Sequence, residues 1–369
     1  MKLLKNIFKA VGLILILVTL GTTIFLYTSP QFGQIPEGKD LERIELSPNY
    51  LNGIFVNLIK TEVGSFKKMI KTLPDFFNGK NGEPKTKIPV KFGNSKAIAT
   101  DTSTHITWYG HSAFLIEIEG KRILIDPMLG ETAAPVSFGA SRFPYQKPIP
   151  IEELTNIDAI IISHDHYDHL DYPTIEKLKK HTAHFFTALG VGSHLKSWGI
   201  PQEKITELDW WESIKYKELN LVSCPARHFS GRGITDRNKT QWASWIITGN
   251  NSNLYFSGDG GYGPHFKEIG EKYGPFDLAM MECGQYNKAW GQIHMMPEES
   301  VQAGIDVKGK ILMPIHWGAF KLAVHEWTEP IVRFKAEAET QNVSIVHPYI
   351  GEQFTPGQDS PQKEWWNIE

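Results

Sequence analysis

The sequence predicts a layered α/β protein, with mostly antiparallel sheets, that follows one N-terminal membrane-spanning helix. Short apolar runs recur from about residue 104 onward with helical patterns between some of them, and this arrangement is typical of sheets covered by helices. An uncharged apolar run near the N-terminus has the length of a membrane span. The 369 residues, of which 41% are hydrophobic and 21% charged, match an ordinary globular protein and exclude wholesale disorder.

The charge balance and the cysteine count exclude two further classes of protein. The chain has 38 Lys and Arg residues against 41 Asp and Glu residues, which gives a net charge of −3. A general nucleic-acid-binding protein would be strongly basic, so we expect no nucleic-acid partner. Cys224 and Cys283 are the only cysteines in the sequence, too few for a disulfide scaffold or a four-cysteine zinc site.

The N-terminal apolar run predicts a single membrane span. Residues 11–27 carry no charge, and with the flanking apolar residues the run reaches roughly 20 residues, enough to cross a bilayer as a helix. A cleaved signal peptide is the alternative, but the run ends in Phe-Leu-Tyr rather than in the small residues of a cleavage site. Lys2, Lys5 and Lys9 precede the span, so we expect residues 30–369 on the non-cytoplasmic side, which is the periplasmic side of the inner membrane in a Gram-negative bacterium.

The segment between the span and the main domain is unusually basic. Between residues 60 and 96 there are nine lysines and three acidic residues. Apolar residues recur at near-helical spacing over Leu51–Ile59 and again over Phe66–Phe77, which predicts an amphipathic arm. The arm either packs on the main domain with its lysines in solvent or rests on anionic lipid beside the anchor. The chain thus divides into a membrane anchor (1–29), an amphipathic and basic arm (30–103) and a main domain (104–369).

The elements of the main domain follow from its short apolar runs. Strands are predicted at His105–Trp108, Ala113–Ile118, Arg122–Ile125, Asp158–Ser163, Leu219–Ser223, Ala243–Thr248, Leu254–Ser257, Leu278–Met281, Ile311–Ile315 and Val343–Val346. Helices are predicted at Thr174–His181, Glu298–Ala303 and Glu329–Glu339.

A cluster of metal-binding residue types directly follows the predicted strand Asp158–Ser163. The segment HDHYDH places His164, His166, Asp168 and His169 within six residues. One loop this short cannot wrap four ligands around a single ion. His164 and His166 can converge on one ion while Asp168 and His169 turn towards a second, a division that suits two ions a few ångströms apart.

Three further candidate ligands, His228, Asp259 and His316, each lie just past the end of an apolar run. Asp259 stands in the sequence SGDGG, whose glycines let the backbone bend tightly, and its carboxylate can offer one oxygen to each of two ions. A histidine at a strand end is usually a hydrogen-bonded, half-buried residue, so each of these is weak evidence alone. Together with the HDHYDH segment they predict a binuclear metal site, for which histidine and carboxylate ligands suit zinc best and iron or manganese next.

These motifs resemble the metallo-β-lactamase superfamily, and within it the N-acyl-phosphatidylethanolamine-hydrolysing phospholipase D branch and its bacterial relatives. The resemblance covers roughly residues 104–350. The matching stretches are Trp108–Ser112, Ile125–Pro127, Ser163–Leu170 with the HDHYDH segment, Ala226–Arg232, Gly258–Tyr262, His294–Glu299 and Pro314–Gly318. The resemblance implies a four-layer αββα sandwich with a binuclear metal site along one edge.

The resemblance also implies a role for individual residues. It implies two zinc ions and seven ligands: His164, His166 and His228 on one ion, Asp168, His169 and His316 on the other, and Asp259 between them. Asp126 is expected to orient a ligand or fix the metal-binding loop, and His111 to shape the site wall. His294 is expected to face the substrate over the metals, the alternative being a cap of the helix that begins near Pro297. Asp168 is a candidate for protonating the leaving group.

The function implied is that of a membrane-anchored phosphodiesterase of the phospholipase D type. It would hydrolyse N-acyl-phosphatidylethanolamine-like phospholipids to N-acylethanolamine and phosphatidic acid, with a hydroxide that bridges two zinc ions as the nucleophile. The expected partners are a membrane phospholipid substrate and the lipid bilayer, and a homodimer is left open. An anchored catalytic domain suits a lipid substrate, because the lipid then needs to rise only partly from the bilayer.

Two alternatives stay open at this point. One is a metal-dependent lactonase or another ester or amide hydrolase that acts on a small soluble substrate at the same site, since sugar-phosphate lactonases share part of the pattern. The other is a non-catalytic protein with structural metal, although structural zinc sites are typically closed and rich in cysteine.

Overall fold

The computed structural model describes residues 1–64, 74, 81–93 and 103–368 of the chain. The apolar run over residues 66–77, apart from Pro74, and five of the nine lysines of the predicted arm lie outside these described residues. The amphipathic arm therefore stays a prediction over this part of the chain.

The N-terminal helix α1 (Lys2–Thr28) stands apart from the rest of the protein. None of its 27 residues is buried. It is long and apolar enough to cross a bilayer, a property that membrane anchors share with signal sequences. A 3₁₀ turn (Pro30–Phe32) and helix α2 (Lys39–Glu45) follow it and lead to the main domain.

A β-hairpin occupies residues 50–55, where the apolar spacing predicted a helical pattern. β1 (Tyr50–Leu51) pairs antiparallel with β2 (Ile54–Phe55). Asn52 and Gly53 between them have φ angles of 54° and 81°, the positive values that a type I′ hairpin turn requires. The helical prediction was wrong here because an Asn-Gly pair between apolar residues is a strong hairpin signal that outweighs apolar spacing.

The first large sheet contains seven strands. They are β3 (His105–Trp108), β4 (Phe114–Ile118), β5 (Lys121–Ile125), β6 (Ile157–Ile162), β7 (Thr182–Ala188), β8 (Ile205–Leu208) and β15 (Gln353–Phe354). Their order is β15-β3-β4-β5-β6-β7-β8. Pairing is antiparallel from β15 to β5 and parallel from β5 to β8.

The second large sheet contains six strands. They are β9 (Ser213–Tyr216), β10 (Leu219–Cys224), β11 (Ser244–Thr248), β12 (Asn253–Phe256), β13 (Leu278–Glu282) and β14 (Leu312–Ile315). Their order is β14-β13-β12-β11-β10-β9. Pairing is antiparallel from β9 to β12 and parallel from β12 to β14.

Both sheets are mixed: six of their eleven strand pairs are antiparallel and five are parallel, so the prediction of mostly antiparallel sheets understated the parallel pairing. Parallel neighbours need a crossover connection, and an α-helix lies on four of the five such connections, whereas the connection from β5 to β6 carries a 3₁₀ turn (Ile151–Glu153). The helices of the main domain are α3 (Tyr172–Leu178), α4 (Gly192–Ser197), α5 (His265–Tyr273), α6 (Pro297–Asp306) and α7 (Glu329–Thr340). The sequence analysis did not identify α4 and α5, and without them the parallel pairs of β7 with β8 and β12 with β13 had no visible crossover.

The two sheets pack face to face with helices outside them. Phe114 of β4 meets Phe256 of β12 across the interface, with ring centroids 6.3 Å apart. α4 contacts β8 on one side; on the other, α6 contacts β13 and β14, and α7 contacts α6 and β14. The result is the predicted αββα sandwich.

The strand predicted at Val343–Val346 is reduced to a single bridge between Ile345 and Leu312. The Val346 N–H donates to the Leu312 carbonyl at 3.0 Å. The next donor that a parallel ladder would need on β14 is Pro314, which has no N–H group. The ladder therefore ends after one pair.

One edge of the sandwich collects the carboxyl ends of strands from both sheets. β5 and β6 run parallel in the first sheet, and β12, β13 and β14 run parallel in the second. Parallel strands end at a common edge, and polar residues that follow such ends lie near one another. The residues at or just past these ends are Asp126, His164, Asp259, Glu282 and His316.

Candidate metal centre

Three histidines converge at one end of the edge, and we call His164, His166 and His228 the histidine cluster. The Nε2 atom of His164 lies 2.9 Å from Nδ1 of His166, which lies 3.2 Å from Nε2 of His228. The Nδ1 atom of His228 donates to the Ile293 carbonyl at 2.9 Å, so its Nε2 atom carries a lone pair. Three imidazole nitrogens thus face one point.

The other half of the HDHYDH segment forms a second group with His316, and we call Asp168, His169 and His316 the mixed cluster. The Oδ2 atom of Asp168 lies 3.6 Å from Nε2 of His169 and 3.9 Å from Nε2 of His316. His316 adopts φ of 69°, a left-handed conformation, directly after β14. That backbone turn points the imidazole back over the strand ends.

Asp259 lies between the two clusters. Its Oδ2 atom is 3.1 Å from Nε2 of His169 and 3.9 Å from Nε2 of both His164 and His228. Its Oδ1 atom is 3.2 Å from Nδ1 of His316. The turn before it requires glycine, because Gly258 has φ of 58° and a Cβ there would meet the Ala243 carbonyl at 2.6 Å. Oδ2 therefore lies between the two clusters, whereas Oδ1 faces the mixed cluster.

The residues of this site fit divalent cations. The Nε2 atom of His169 and the Oδ1 atom of Asp259 are buried, and their close contacts to Asp259 Oδ2 and His316 Nδ1 lack the geometry of a hydrogen bond, although buried polar groups are normally paired. Burial raises the pKa of Asp259 to about 6 and lowers that of His166 to about 4. A buried group of imidazoles and carboxylates is the donor set that zinc and related ions bind.

Asp126 orients one histidine of each cluster. It directly follows β5 at φ of 39°, and its Oδ2 atom lies 2.7 Å from Nδ1 of His169. Its other oxygen accepts the Ser163 N–H at 2.7 Å. The Ser163 hydroxyl donates its proton to Asp126, and its oxygen lies 2.9 Å from Nδ1 of His164. Because the hydroxyl proton is already used, Nδ1 of His164 is the donor in this second contact. Nε2 of His164 therefore carries the lone pair. One carboxylate therefore sets two ring orientations.

His111, which was expected to shape the site wall, contacts the mixed cluster directly. Its Nε2 atom lies 2.8 Å from Oδ2 of Asp168, and its ring centroid is 4.0 Å from that of His316. The residue is buried, and burial lowers its pKa to about 4. The His316 N–H donates to the His111 carbonyl and the His111 N–H donates to the Trp317 carbonyl, both at 2.9 Å, so this turn and the end of β14 hold each other in place.

His294 lies over both clusters. Its ring centroid is 5.0 Å from that of His228 and 5.4 Å from that of His316. Its Nδ1 atom lies 2.8 Å from Oε1 of Glu282. It does not cap α6, since the Met296 N–H at the start of that helix donates to Glu299 at 2.9 Å.

Sequence reasoning missed Glu282, the buried partner of His294. It is the last residue of β13, and its second oxygen accepts the Met295 N–H at 3.1 Å. Burial raises the pKa of Glu282 well above its usual range. The available signal was a lone acid that ends the apolar strand LAMME at the edge where the other site residues lie.

Asp165 and Asn57 were also missed, and both hold backbone rather than facing the clusters. Asp165 accepts from the Gly231 N–H at 2.8 Å and from the Thr240 hydroxyl at 2.7 Å. Asn57, just past β2, hydrogen-bonds both backbone groups of His228: its side chain accepts from the His228 N–H at 3.0 Å and donates to the His228 carbonyl at 2.8 Å. The sequence around Asp165 and Asn57 does not indicate these contacts, because the partners are 66 to 171 positions away along the chain.

Comparison with known proteins identifies the family. Residues 121–317 match the β-lactamase superfamily domain. The chain belongs to the metallo-β-lactamase superfamily. An uncharacterised protein of Mycobacterium tuberculosis is 40% identical to this superfamily member over 330 residues, 88% of each chain. N-acyl-phosphatidylethanolamine-hydrolysing phospholipase D 1 of Caenorhabditis elegans is 32% identical over 282 residues, 72% of this chain and 79% of that protein.

A solved structure shares the fold. The metallo hydrolase Igni18 of Ignicoccus hospitalis superposes with a TM-score of 0.52 at 21% identity, over 69% of this chain and 98% of that one. The predicted family and αββα fold are therefore confirmed. The protein is a metallo-β-lactamase superfamily hydrolase, with His and Asp clusters as its candidate metal site.

Proposed function

We propose that this hydrolase is a membrane-anchored, zinc-dependent phosphodiesterase of the phospholipase D type. Its substrate would be an N-acyl-phosphatidylethanolamine-like phospholipid, and its products N-acylethanolamine and phosphatidic acid. The observation that carries the proposal is the convergence of the two clusters on Asp259 beneath His294. The similarity to the phospholipase of C. elegans supports the substrate class.

The ligand roles are part of this proposal. His164, His166 and His228 would hold one zinc ion, Asp168, His169 and His316 the other, and Asp259 both. Two zinc ions bound there would lower the pKa of a water molecule and offset negative charge on the phosphoryl oxygens. Asp126 and His111 would keep the ligands in position through the hydrogen bonds described above.

Asp168 and His294 are the site residues placed to meet the substrate. Their side chains are 13% and 14% exposed, whereas His164, His169, His228, Asp259 and His316 are buried. Nδ1 of His294 is hydrogen-bonded to Glu282, so Nε2, on the opposite edge of the imidazole ring, faces away from Glu282. We propose that His294 binds a phosphoryl oxygen through Nε2. The proton released by the attacking water would pass to Asp168 or His294 and from there to the departing ethanolamine oxygen.

A cleft beside the metal-binding loop supports a substrate with an apolar part. It has a volume of about 350 Å³ and is lined by Leu129, Val136 and Tyr172, among other residues. Tyr167 of the HDHYDH segment and Gln31, three residues after α1, also line it. An apolar cleft next to the base of the anchor suits an acyl chain better than a small soluble substrate.

The test is hydrolysis in ¹⁸O-labelled water by the full-length protein in vesicles that contain N-acyl-phosphatidylethanolamine. Attack on phosphorus joins the water oxygen to phosphorus, breaks the bond to the ethanolamine oxygen and leaves the proton on N-acylethanolamine. Mass spectrometry should find one ¹⁸O in phosphatidic acid and none in N-acylethanolamine. Label in a released fatty acid, or turnover of a lactone alone, would contradict the proposal and favour an ester or amide hydrolase.

The cleft provides a second arm of the test. Val136→Arg should raise KM for the lipid while leaving turnover of bis(p-nitrophenyl) phosphate unchanged. Val332→Arg is the matched control, because Val332 is 52% exposed on α7 and lies outside the cleft. Equal effects of the two variants would exclude the cleft as an acyl-chain site.

A further inference from the structure

The residues that follow α1 lie directly against the metal-binding loop, and we call residues 29–34 the juxtamembrane strap. Trp198 donates its indole N–H to the Pro30 carbonyl at 2.7 Å. Arg232 donates through Nε to the Gln31 carbonyl at 2.8 Å. The Gln34 N–H donates to Nδ1 of His194 at 3.1 Å. The strap is thus attached through its backbone at three points.

Arg232 links the strap to the HDHYDH loop. Through Nη1 it donates to the Asp165 carbonyl at 2.5 Å and to the Leu170 carbonyl at 2.8 Å. These two contacts hold the beginning and the end of the loop. Its guanidinium lies 4.2 Å from the ring centroid of Tyr167, whose hydroxyl donates back to the Arg232 carbonyl at 2.6 Å. The side chain is buried. A buried cation is costly, and these contacts to the strap and to the loop offset that cost.

His194 makes a second link from the strap to the same loop. Because its Nδ1 atom accepts the Gln34 N–H, the ring proton sits on Nε2, which lies 3.2 Å from Oδ2 of Asp165. Asp165 stands between His164 and His166, two members of the histidine cluster. A backbone N–H in the strap therefore fixes the tautomer that holds this position of the loop.

We infer that the juxtamembrane strap is a working part of the metal centre, with Arg232 and His194 as positioning residues that set the spacing of His164 and His166. This inference rests on the metal-binding part of the proposed function and does not depend on the substrate. Groups that orient metal ligands typically contribute about 10–100-fold to metal affinity. The attachment of the chain to the membrane and the geometry of the site would thereby be coupled through six residues.

Two glycines allow a matched test in the full-length protein. Gly33 lies in the strap at φ of 64°, and a Cβ there would lie 2.1 Å from Nδ1 of His194. Gly38 has a similar φ of 55°, and a Cβ there would meet nothing within 4 Å. Gly33→Ala and Gly38→Ala therefore impose similar backbone strain, and only the first displaces the strap from His194.

The measurements are the rate of zinc transfer to a chelating dye and the visible absorption spectrum of the cobalt-substituted protein. Gly33→Ala should release metal about tenfold faster and change the cobalt spectrum, while Gly38→Ala should match the wild type in both. If Gly33→Ala lowers the unfolding temperature but leaves zinc release and the cobalt spectrum unchanged, the strap is only a piece of the fold and the inference is overturned.

A second pair of variants guards against misfolding of Gly33→Ala. Arg232→Lys keeps the charge but loses the Nε–H to Gln31 and the forked contacts to the loop. Arg237→Lys is the control, since Arg237 is exposed in the same loop. Faster zinc release from Arg232→Lys than from Arg237→Lys supports the inference, and equal rates contradict it. These outcomes are independent of whether N-acyl-phosphatidylethanolamine is hydrolysed, so failure of the proposed substrate is distinguishable from failure of the strap.

Discussion

The histidine cluster and the mixed cluster face the same Asp259 but have different supports. In the histidine cluster, His164 is hydrogen-bonded to the Ser163 hydroxyl and His228 to the Ile293 carbonyl, and both partners are neutral groups. In the mixed cluster, His169 contacts the Asp126 carboxylate at 2.7 Å, and Asp168 itself is a carboxylate held by His111. Negative charge is therefore concentrated on one side of the centre.

This asymmetry changes the protonation of the two clusters. Burial lowers the pKa of His169, but Asp259, Asp168 and Asp126 together outweigh burial and raise it well above its ordinary value. Burial and neighbouring imidazoles lower the pKa of His164 well below its ordinary value. A cation in the mixed cluster gains more from the surrounding charge, so we expect the ion in the histidine cluster to leave first during chelation.

The largest effect is expected from Asp259→Asn, which removes the carboxylate that both clusters share. The variant should lose affinity for both ions by at least about 100-fold, more than substitution of a supporting group costs. Metal content after dialysis, measured by inductively coupled plasma mass spectrometry, checks this result. Retention of both ions would show that Asp259 does not connect the clusters.

Asp126→Asn should act mainly on the mixed cluster, because the carboxylate contacts His169 directly and His164 only through Ser163. We expect about 10–100-fold weaker binding of the tighter ion, measured by competition with a chelator. Asp171→Asn is the control, a buried Asp that caps α3 by accepting the Thr174 N–H. A control that loses as much metal as Asp126→Asn would mean that the effect is general destabilisation.

Ser163→Ala should act mainly on the histidine cluster, by removing the hydroxyl next to Nδ1 of His164. The expected loss is the smallest of the three, about tenfold for the ion that leaves first. Stopped-flow chelation should show the fast phase accelerated and the slow phase nearly unchanged. Ser244→Ala, whose buried hydroxyl donates to the Pro225 carbonyl, is the matched control. If Ser163→Ala accelerates only the slow phase, the comparison between the clusters is wrong.

The sequence was sufficient for the parts of the site that are encoded locally. The HDHYDH segment sits at the end of β6 because an apolar run leads into it, and the residue types alone suggested the division into His164 with His166 and Asp168 with His169 that the two clusters show. His228, Asp259 and His316 were found because each follows an apolar run. The αββα fold came from resemblance to a family, whereas apolar runs alone predicted too few helices and mostly antiparallel sheets.

The contacts that depend on distant partners could not be predicted. Glu282 reaches His294 across 12 positions, and Arg232 reaches Gln31 across 201. Nothing in the local pattern around Arg232 indicates that its partner is the backbone after α1. Such pairs are determined by how the strands and loops meet at the sheet edge, and hydrophobic periodicity carries no information about that.

X-ray anomalous scattering at the zinc edge, on crystals of the zinc-loaded protein, tests the central claim most directly. Two peaks are predicted on opposite sides of Asp259, one within about 2.0–2.2 Å of the three nitrogens of the histidine cluster and the other equally close to the mixed cluster. A single peak, or no peak between these residues at saturating zinc, would contradict the binuclear site and the hydrolytic function proposed for it.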